Sequence, residues 1–119
     1  MRHYSALLLL LVCVATLAQG APARKLLSGQ EVRQLLVGNV ITDNVHWRYY
    51  LKPNGSIDAN EMGRTRKGRW HIQDNQLCIA IAAGAAPDAC WDVVRQGKVL
   101  LFRENGTDVY EVKVEKPGS

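Results

Sequence analysis

Turn-forming residues recur at about ten-residue spacing through most of the chain, and this spacing constrains the fold more than any other feature. They stand at Pro53-Asn54-Gly55, Gln73-Asp74-Asn75, Gln96-Gly97 and Glu104-Asn105-Gly106. Between them apolar and polar residues alternate, which places successive side chains on opposite faces of a strand. Strands joined in chain order by short turns form an antiparallel meander.

The alternating segments predict about seven strands. They cover residues 46–51, 56–60, 69–72, 77–81, 90–94, 99–102 and 108–114. A sheet of this size with one short helix must curl or close to bury its apolar face. The sequence therefore predicts a mainly β (α+β) fold, a small antiparallel β meander that forms a barrel or half-barrel with the helix plugging or flanking it.

Three tryptophans belong to these predicted strands. Trp47, Trp70 and Trp91 each occupy the apolar phase of a strand or begin an apolar run. Because aromatic side chains bury the largest areas in a folded protein, we expect all three to be largely buried.

One segment near the N-terminus reads as a helix. Ser28 and Glu31 have the spacing of a capping box, in which each side chain bonds to the other residue's backbone N–H. The apolar residues that follow keep the helical period, and Gly38 stands where a left-handed residue ends a helix. The pattern predicts a short amphipathic N-terminal helix over residues 28–37.

Residues 1–20 have the features of a secretory signal peptide. A short basic start precedes an apolar stretch over residues 6–17, and small residues lead up to Gly20. A membrane-spanning helix needs about 20 apolar residues, and this run is shorter and is soon followed by Pro22. We expect cleavage after Gly20, an exported protein that is periplasmic or secreted, and a single small β-rich domain over residues 21–119 without a transmembrane segment.

The charge of the chain restricts its partners only slightly. There are 15 Lys and Arg against 11 Asp and Glu, a net charge of +4, and removal of the predicted signal peptide takes away Arg2. Such a mildly basic balance favours acidic partners weakly. Since an exported protein seldom meets nucleic acid, no nucleic-acid partner is expected.

Cys78 and Cys90 are expected to form a disulfide. They lie in two successive predicted strands joined by a short loop, and neighbouring antiparallel strands bring Cα atoms to about 5.5 Å, within disulfide reach. The predicted compartment is oxidising. The spacing matches neither a Cys-x-x-Cys redox motif nor a zinc site, so the predicted role is structural.

The same stretches resemble a known family. The motifs are Ser28-Gly29-x-Glu31-Val32, Tyr49-Tyr50-Leu51-x-Pro53-Asn54-Gly55, Gly68-Arg69-Trp70-x-Ile72-x-Asp74-Asn75-x-Leu77-Cys78 and Cys90-Trp91-x-Val93. Their order resembles a group of small exported bacterial domains of unknown function, and the Gly-x-Trp hairpin is distantly similar to lipocalin-like sheets. Asn54 stands where that group prefers Asp. The resemblance implies export and a β fold, and it carries no catalytic residue across.

The sequence offers little support for catalysis by a serine and a histidine. His46 and His71 both fall on the outward phase of their predicted strands, where a solvated histidine is expected. Neither Ser28 nor Ser56 stands in a nucleophile motif such as Gly-x-Ser-x-Gly.

Acidic side chains offer no stronger candidate. Asp88 and Asp92 flank Cys90 and resemble a general acid and base pair, but loop solvation and turn chemistry explain them more simply. The chain has no phosphate-binding glycine loop, no His-Glu-x-x-His and no calcium loop. No catalytic residue, no metal site and no cofactor are predicted.

The most basic part of the sequence is residues 63–69, which are predicted as a loop between strands. Its four positive side chains, Arg64, Arg66, Lys67 and Arg69, have no acid among them. Arg supplies paired donors to anions, so this loop is a candidate anion-binding site for an acidic protein or an anionic surface. The alternative is an ordinary solvated turn.

The sequence leaves several functions open. Without a paired nucleophile and base, a non-catalytic binding or interaction module stabilised by one disulfide is favoured. Its first alternative is a carrier of a small apolar ligand of lipocalin-like type, and its second is a small secreted hydrolase with an unrecognised site. A deep cavity in the barrel would favour the carrier, whereas a filled barrel would favour a protein partner.

Overall fold

A computed structural model describes residues 11–15, 23–81 and 89–118. Most of the predicted signal peptide, and Asp88, therefore lie outside the described residues. In chain order the elements are β1 Arg24–Leu26, α1 Gly29–Leu36, β2 Val40–Thr42, β3 Trp47–Leu51, β4 Ser56–Glu61, β5 Arg64–Gln73, β6 Gln76–Ile81, β7 Ala89–Gln96, β8 Val99–Glu104 and β9 Thr107–Glu115. The described residues contain no candidate for a membrane-spanning helix.

Strands β2 to β9 form a closed, eight-stranded antiparallel barrel. Each pairs with the next in chain order, and β2 closes the ring by pairing with β9, with Val40 opposite Glu115 and Thr42 opposite Lys113. The predicted mainly β fold is confirmed, and the barrel is closed rather than half-open. Among the described strands, closure gives every strand of the ring a neighbour on both sides, whereas a half-barrel would expose two edge strands to other chains.

Strands β1 and β6 both pair with the same edge of β7, each along a different part of its length. The first residues of β7 pair with β6, with Ala89 opposite Ile79, whereas its last residues pair with β1, with Val94 opposite Leu26. The backbone N–H of Leu27 continues this contact by donating to the carbonyl of Val93 at 2.9 Å. β1 therefore fills the place that β6 leaves along β7 and leads the chain into α1.

The helix covers the end of the barrel that carries the turns at Pro53–Asn54 and Asp74–Asn75. Its capping box is present as predicted, with the backbone N–H of Glu31 donating to the Ser28 hydroxyl and that of Ser28 donating to the Glu31 carboxylate. Val32 and Leu36 are fully buried in the barrel core. Gly38 adopts a φ of +83°, and this left-handed conformation turns the chain into β2.

The core lies between this helix and the inward side chains of the strands. Buried strand residues in the cluster are Ile41, Leu51, Ile57, Ala59, Trp70, Leu77, Ile79, Val93, Leu100, Phe102 and Val112. Trp70 is only 6% exposed, and its indole N–H donates to the carbonyl of Lys52 at 2.8 Å. The guanidinium of Arg33 on α1 lies 5.5 Å from the centre of its ring, so Trp70 joins the helix to the barrel through packing and a cation–π contact.

The prediction of a loop over residues 63–69 is wrong, because β5 begins at Arg64. The turn is shorter and lies at Met62 and Gly63, whose φ angles of 54° and 84° are both left-handed. Two-residue hairpin turns with two left-handed residues usually contain Asn-Gly or Asp-Gly. Because Met62 stands at the first position here, the sequence does not show the usual signal for this turn. The basic residues pair instead along β4, from Glu61 opposite Arg64 to Ser56 opposite Arg69.

The disulfide between Cys78 and Cys90 is present. The two cysteines are direct partners between β6 and β7, and Leu77 opposite Trp91 and Ile79 opposite Ala89 are the neighbouring pairs. β6 and β7 share these three residue pairs, so the covalent bond fastens a short part of the barrel wall.

Reduction of this bond is expected to destabilise the barrel substantially. The bond closes a loop between residues 12 apart, and its loss should lower the free energy of unfolding by about 3 kcal/mol in the chain-entropy description. Urea unfolding with and without reductant measures this change, using Cys13→Ser so that Cys78 and Cys90 are the remaining cysteines. The additional double variant Cys78→Ser/Cys90→Ser should not respond to reductant. Coincident unfolding curves for the oxidised and reduced protein would contradict the expectation.

Candidate functional site

The end of the barrel opposite α1 contains a cavity of about 240 Å³. We call this end the open end, and it carries the loop at residues 43–46 and the turns at 62–63 and 105–106. The described residues that line the cavity are Ile41, Trp47, Tyr49, Glu61, Ile79, Trp91, Phe102 and Tyr110. Tyr110 is 46% exposed, so its ring forms part of the rim and the cavity reaches solvent there.

The alternation of the strands places these side chains inside the barrel. On β3, Trp47 and Tyr49 share the inward phase with the fully buried Leu51. Across the ladder Trp47 lies opposite Glu61, so the carboxylate of Glu61 also points inward. The alternation predicted for this strand is therefore confirmed, and its aromatic positions lead from the core to the open end.

A β-bulge in β9 lies directly before Tyr110. Tyr110 lies opposite Phe102, but Asp108 lies opposite Arg103, which leaves Val109 as an extra residue. Such a bulge bends its strand and redirects the side chains beside it. Here the bulge directly precedes the tyrosine that faces the cavity.

The aromatic rings form a connected wall. Trp47 and Tyr49 have ring centres 4.8 Å apart, and Trp91 is stacked on Phe102 at 5.7 Å. Tyr110 stands edge-on to both tryptophans, at 6.3 Å from Trp47 and 6.0 Å from Trp91. Faces and edges of several rings thus border one small space.

Glu61 and Tyr49 supply the polar groups of this wall. Burial first, and then the charge and hydrogen bond of the Glu61 carboxylate, raise the pKa of Tyr49 to about 12. The Tyr49 hydroxyl therefore stays protonated over the physiological pH range and acts as a hydrogen-bond donor. Among the described residues, no Lys or Arg forms an ion pair with Glu61.

The loop at residues 43–46 holds Trp47 in place. The buried hydroxyl of Thr42 donates to the carbonyl of Trp47 at 2.6 Å, and the carboxylate of Asp43 accepts from its backbone N–H at 3.1 Å. The same carboxylate oxygen accepts from the N–H groups of Val45 and His46. Both backbone polar groups of Trp47 are therefore bonded to the side chains of Thr42 and Asp43.

These contacts make Asp43 an unusually strong acid. Burial alone would raise the pKa of Asp43, but the N–H groups of Val45, His46 and Trp47, together with the imidazole of His46, hold it well below its ordinary value. The carboxylate of Asp43 is thus ionised at neutral pH and serves as the cap of this loop.

The four predicted anion-binding residues do not come together as one site. Arg64 and Arg66 share the inward phase of β5 with the buried Trp70, whereas Lys67 and Arg69 have the outward phase. Lys67 also has an acidic partner, since its ammonium lies 2.5 Å from the carboxylate of Asp58 on β4. The basic stretch in the sequence is thus divided between the two faces of one strand.

The serines named as possible nucleophiles have local structural contacts. The Ser28 hydroxyl caps α1, and the Ser56 hydroxyl donates to the side chain of Asn54 at 2.6 Å. His46 is exposed and pairs with Asp43 at 2.7 Å. These contacts place neither serine beside His46.

The remaining acidic candidate is also bonded locally. Asp92 accepts a hydrogen bond from the Gln76 side chain at 3.1 Å, while Asp88 is outside the described ranges. In the described part of the chain, no group of three or more His, Cys, Asp and Glu side chains has the arrangement of a metal site.

The tryptophans were predicted only in part, and Ile41, Glu61 and Tyr110 were missed as cavity residues. Trp70 is buried as expected, but Trp47 and Trp91 are half-buried and line the cavity. Ile41 was missed because β2 was not predicted as a strand. Glu61 was missed because the predicted strand stopped at residue 60. The bulge beside Tyr110 has no turn residue in the sequence that would reveal it.

Comparisons with protein-family models, with curated proteins and with solved structures find no match to this chain.

Replacing Asp43 with Asn should reduce the acid sensitivity of the fold. Because the pKa of Asp43 is lower in the folded than in the unfolded chain, its stabilising effect is complete above about pH 4 and is lost as the pH falls further. Urea unfolding at several pH values should show a smaller loss of stability in Asp43→Asn than in the unmodified protein. Asp92→Asn is the control, since that carboxylate accepts from a side chain and has no comparable set of backbone donors. Equal pH dependence in all three proteins would contradict this role of Asp43.

Proposed function

We propose that this chain is an exported, non-catalytic binding module that holds a small, largely apolar molecule in the open end of its barrel. The observation that carries the proposal is the 240 Å³ cavity walled by Trp47, Tyr49, Trp91, Phe102 and Tyr110. Binding sites for small molecules are typically concave and apolar, with a few polar groups that orient the ligand. Glu61 and the Tyr49 hydroxyl are the polar groups here.

The volume restricts the size of the ligand. An apolar cavity of about 150 Å³ accepts a benzene molecule, so the larger space here suits about ten non-hydrogen atoms. That is one ring with a substituent, or two fused rings. A longer molecule would have to leave part of itself outside the rim at Tyr110.

The disulfide and the sequence of residues 1–20 support export as part of the proposal. Disulfides persist in oxidising compartments, and the N-terminal sequence has the pattern of a signal peptide. A small hydrolase is the weaker alternative, since Ser28 and Ser56 are engaged in a helix cap and a turn. A protein partner is also less favoured, because the barrel has a cavity at one end instead of a completely filled interior.

Binding of tert-butylbenzene, which has about ten non-hydrogen atoms, tests the cavity. Because Trp47 and Trp91 line the space, binding should change tryptophan fluorescence, and a Trp70→Phe background removes the signal of the buried ring. Ile79→Phe, which adds volume inside the cavity, should weaken binding by about tenfold or more.

The matched control is Ile72→Phe. Ile72 has the same inward phase on the neighbouring strand but lies near Gly29 and Asn75 at the helix end. Its replacement should leave the affinity for tert-butylbenzene largely unchanged, and urea unfolding shows whether both variants are folded. If the unmodified protein does not bind tert-butylbenzene, or if Ile79→Phe binds it as well, the cavity is not the site.

Binding to an anionic surface or an acidic protein stays a prediction. Because the four basic residues lie on two faces of β5, each face can be tested with its own pair of substitutions. Retention on heparin across a salt series compares Arg64→Gln/Arg66→Gln with Lys67→Gln/Arg69→Gln. Since exposed charges are screened over about 8 Å at physiological ionic strength, a site on one face should be weakened by one pair only. Equal weakening by both pairs would indicate a general charge effect, and unchanged retention would exclude the cluster as an anion site.

A further inference from the structure

Glu61 is the one charged residue among the described residues that line the cavity. It stands at the end of β4, opposite Trp47, and is half-buried. Its contact with the Tyr49 hydroxyl uses part of its hydrogen-bonding capacity, since a carboxylate offers about four lone-pair positions. The cavity therefore contains a negative charge with no protein cation paired to it among the described residues.

The rings around this charge have the arrangement that attracts cations. The faces of aromatic rings carry partial negative charge, so ammonium groups are held over Trp and Tyr faces within about 6 Å. Tyr110 stands at 82° to Trp47 and at 83° to Trp91, so differently oriented rings face one space. Several such rings with a nearby carboxylate suit a compact, weakly hydrated cation such as a quaternary ammonium.

We infer that the ligand of this cavity carries an alkylated ammonium group, which lies between the rings of Trp47, Trp91 and Tyr110 and beside Glu61. The inference rests on the proposed binding function and names the chemical class of the ligand. The apolar part of the molecule fills the remaining space against Ile41, Ile79 and Phe102.

Arg66 opposes this preference without removing it. It follows Arg64 on the inward phase of β5, and Arg64 lies directly opposite Glu61 across the ladder. Neither arginine is among the described residues that line the cavity. The positive charge of Arg66 lowers the pKa of Tyr49, whereas the charge of Glu61 raises it. Arg66 therefore also weakens the negative potential near the Glu61 carboxylate. Replacing Arg66 should therefore strengthen cation binding, whereas replacing Glu61 should weaken it.

Two molecules of the same shape separate charge from size. Phenyltrimethylammonium and tert-butylbenzene differ in having a positively charged nitrogen or a neutral carbon at one position. We expect the unmodified protein to bind the cation about tenfold more tightly or better, as desolvated cation–π contacts and an ion pair together would give. The ratio of the two affinities, measured by tryptophan fluorescence and calorimetry, is the decisive quantity.

The variants should move this ratio in opposite directions. Glu61→Gln should bring it close to one, and Arg66→Gln should raise it. Glu115→Gln is the matched control, because that carboxylate is paired with Arg48 and does not line the cavity, and it should leave the ratio unchanged. Thermal unfolding of each variant confirms that it is folded.

The outcomes distinguish this inference from the proposed function. If tert-butylbenzene binds as tightly as the cation or more tightly, the ammonium preference is overturned and the apolar binding site stands. If the ratio in Glu61→Gln equals that of the unmodified protein, Glu61 does not confer the preference and the inference is also overturned. If neither molecule binds to the unmodified protein, both the binding function and the inference fail.

Discussion

The short pairing between β6 and β7 is the constraint on which the rest of the structure depends. The two strands share three residue pairs, and the disulfide joins the middle one. Beyond these pairs β1 takes over the edge of β7 and brings the chain directly into α1. The disulfide therefore stabilises the wall where β6 and β7 share few residue pairs. The position of α1 follows from β1, which pairs with the C-terminal half of β7 along the same edge.

The two ends of the barrel differ because only one of them receives the helix. At that end Val32 and Leu36 enter the core and Arg33 covers the ring of Trp70. At the open end the inward positions are filled by aromatic rings, which bury a large area but leave space where their planes meet at steep angles. The cavity thus results from the shape of the side chains at one end of the ring.

Local signals in the sequence predicted most of the fold. The capping box at Ser28, the alternation around Tyr49 and the turn at Asn105-Gly106 each depend on residues close together in the chain, and each is present. β1 and β2 were missed because strands of three residues are defined by partners far away in sequence. The start of β5 was missed because the left-handed turn contains Met62. Alternation shows which side chains face inward, but it does not show whether they fill the interior, so the cavity could not be predicted.

Two features at the open end make the cavity a preformed site. Trp47 is held through its carbonyl and its N–H by Thr42 and Asp43, so this wall has little freedom to collapse into the empty space. The bulge at Val109 precedes Tyr110 on the opposite side. Because a site that is already ordered loses less conformational entropy when a ligand binds, even a small ligand can be held with useful affinity. For the ammonium ligand that we propose, the same order would let a single carboxylate contribute to selection, because Glu61 and the rings would keep their relative positions when the cation enters.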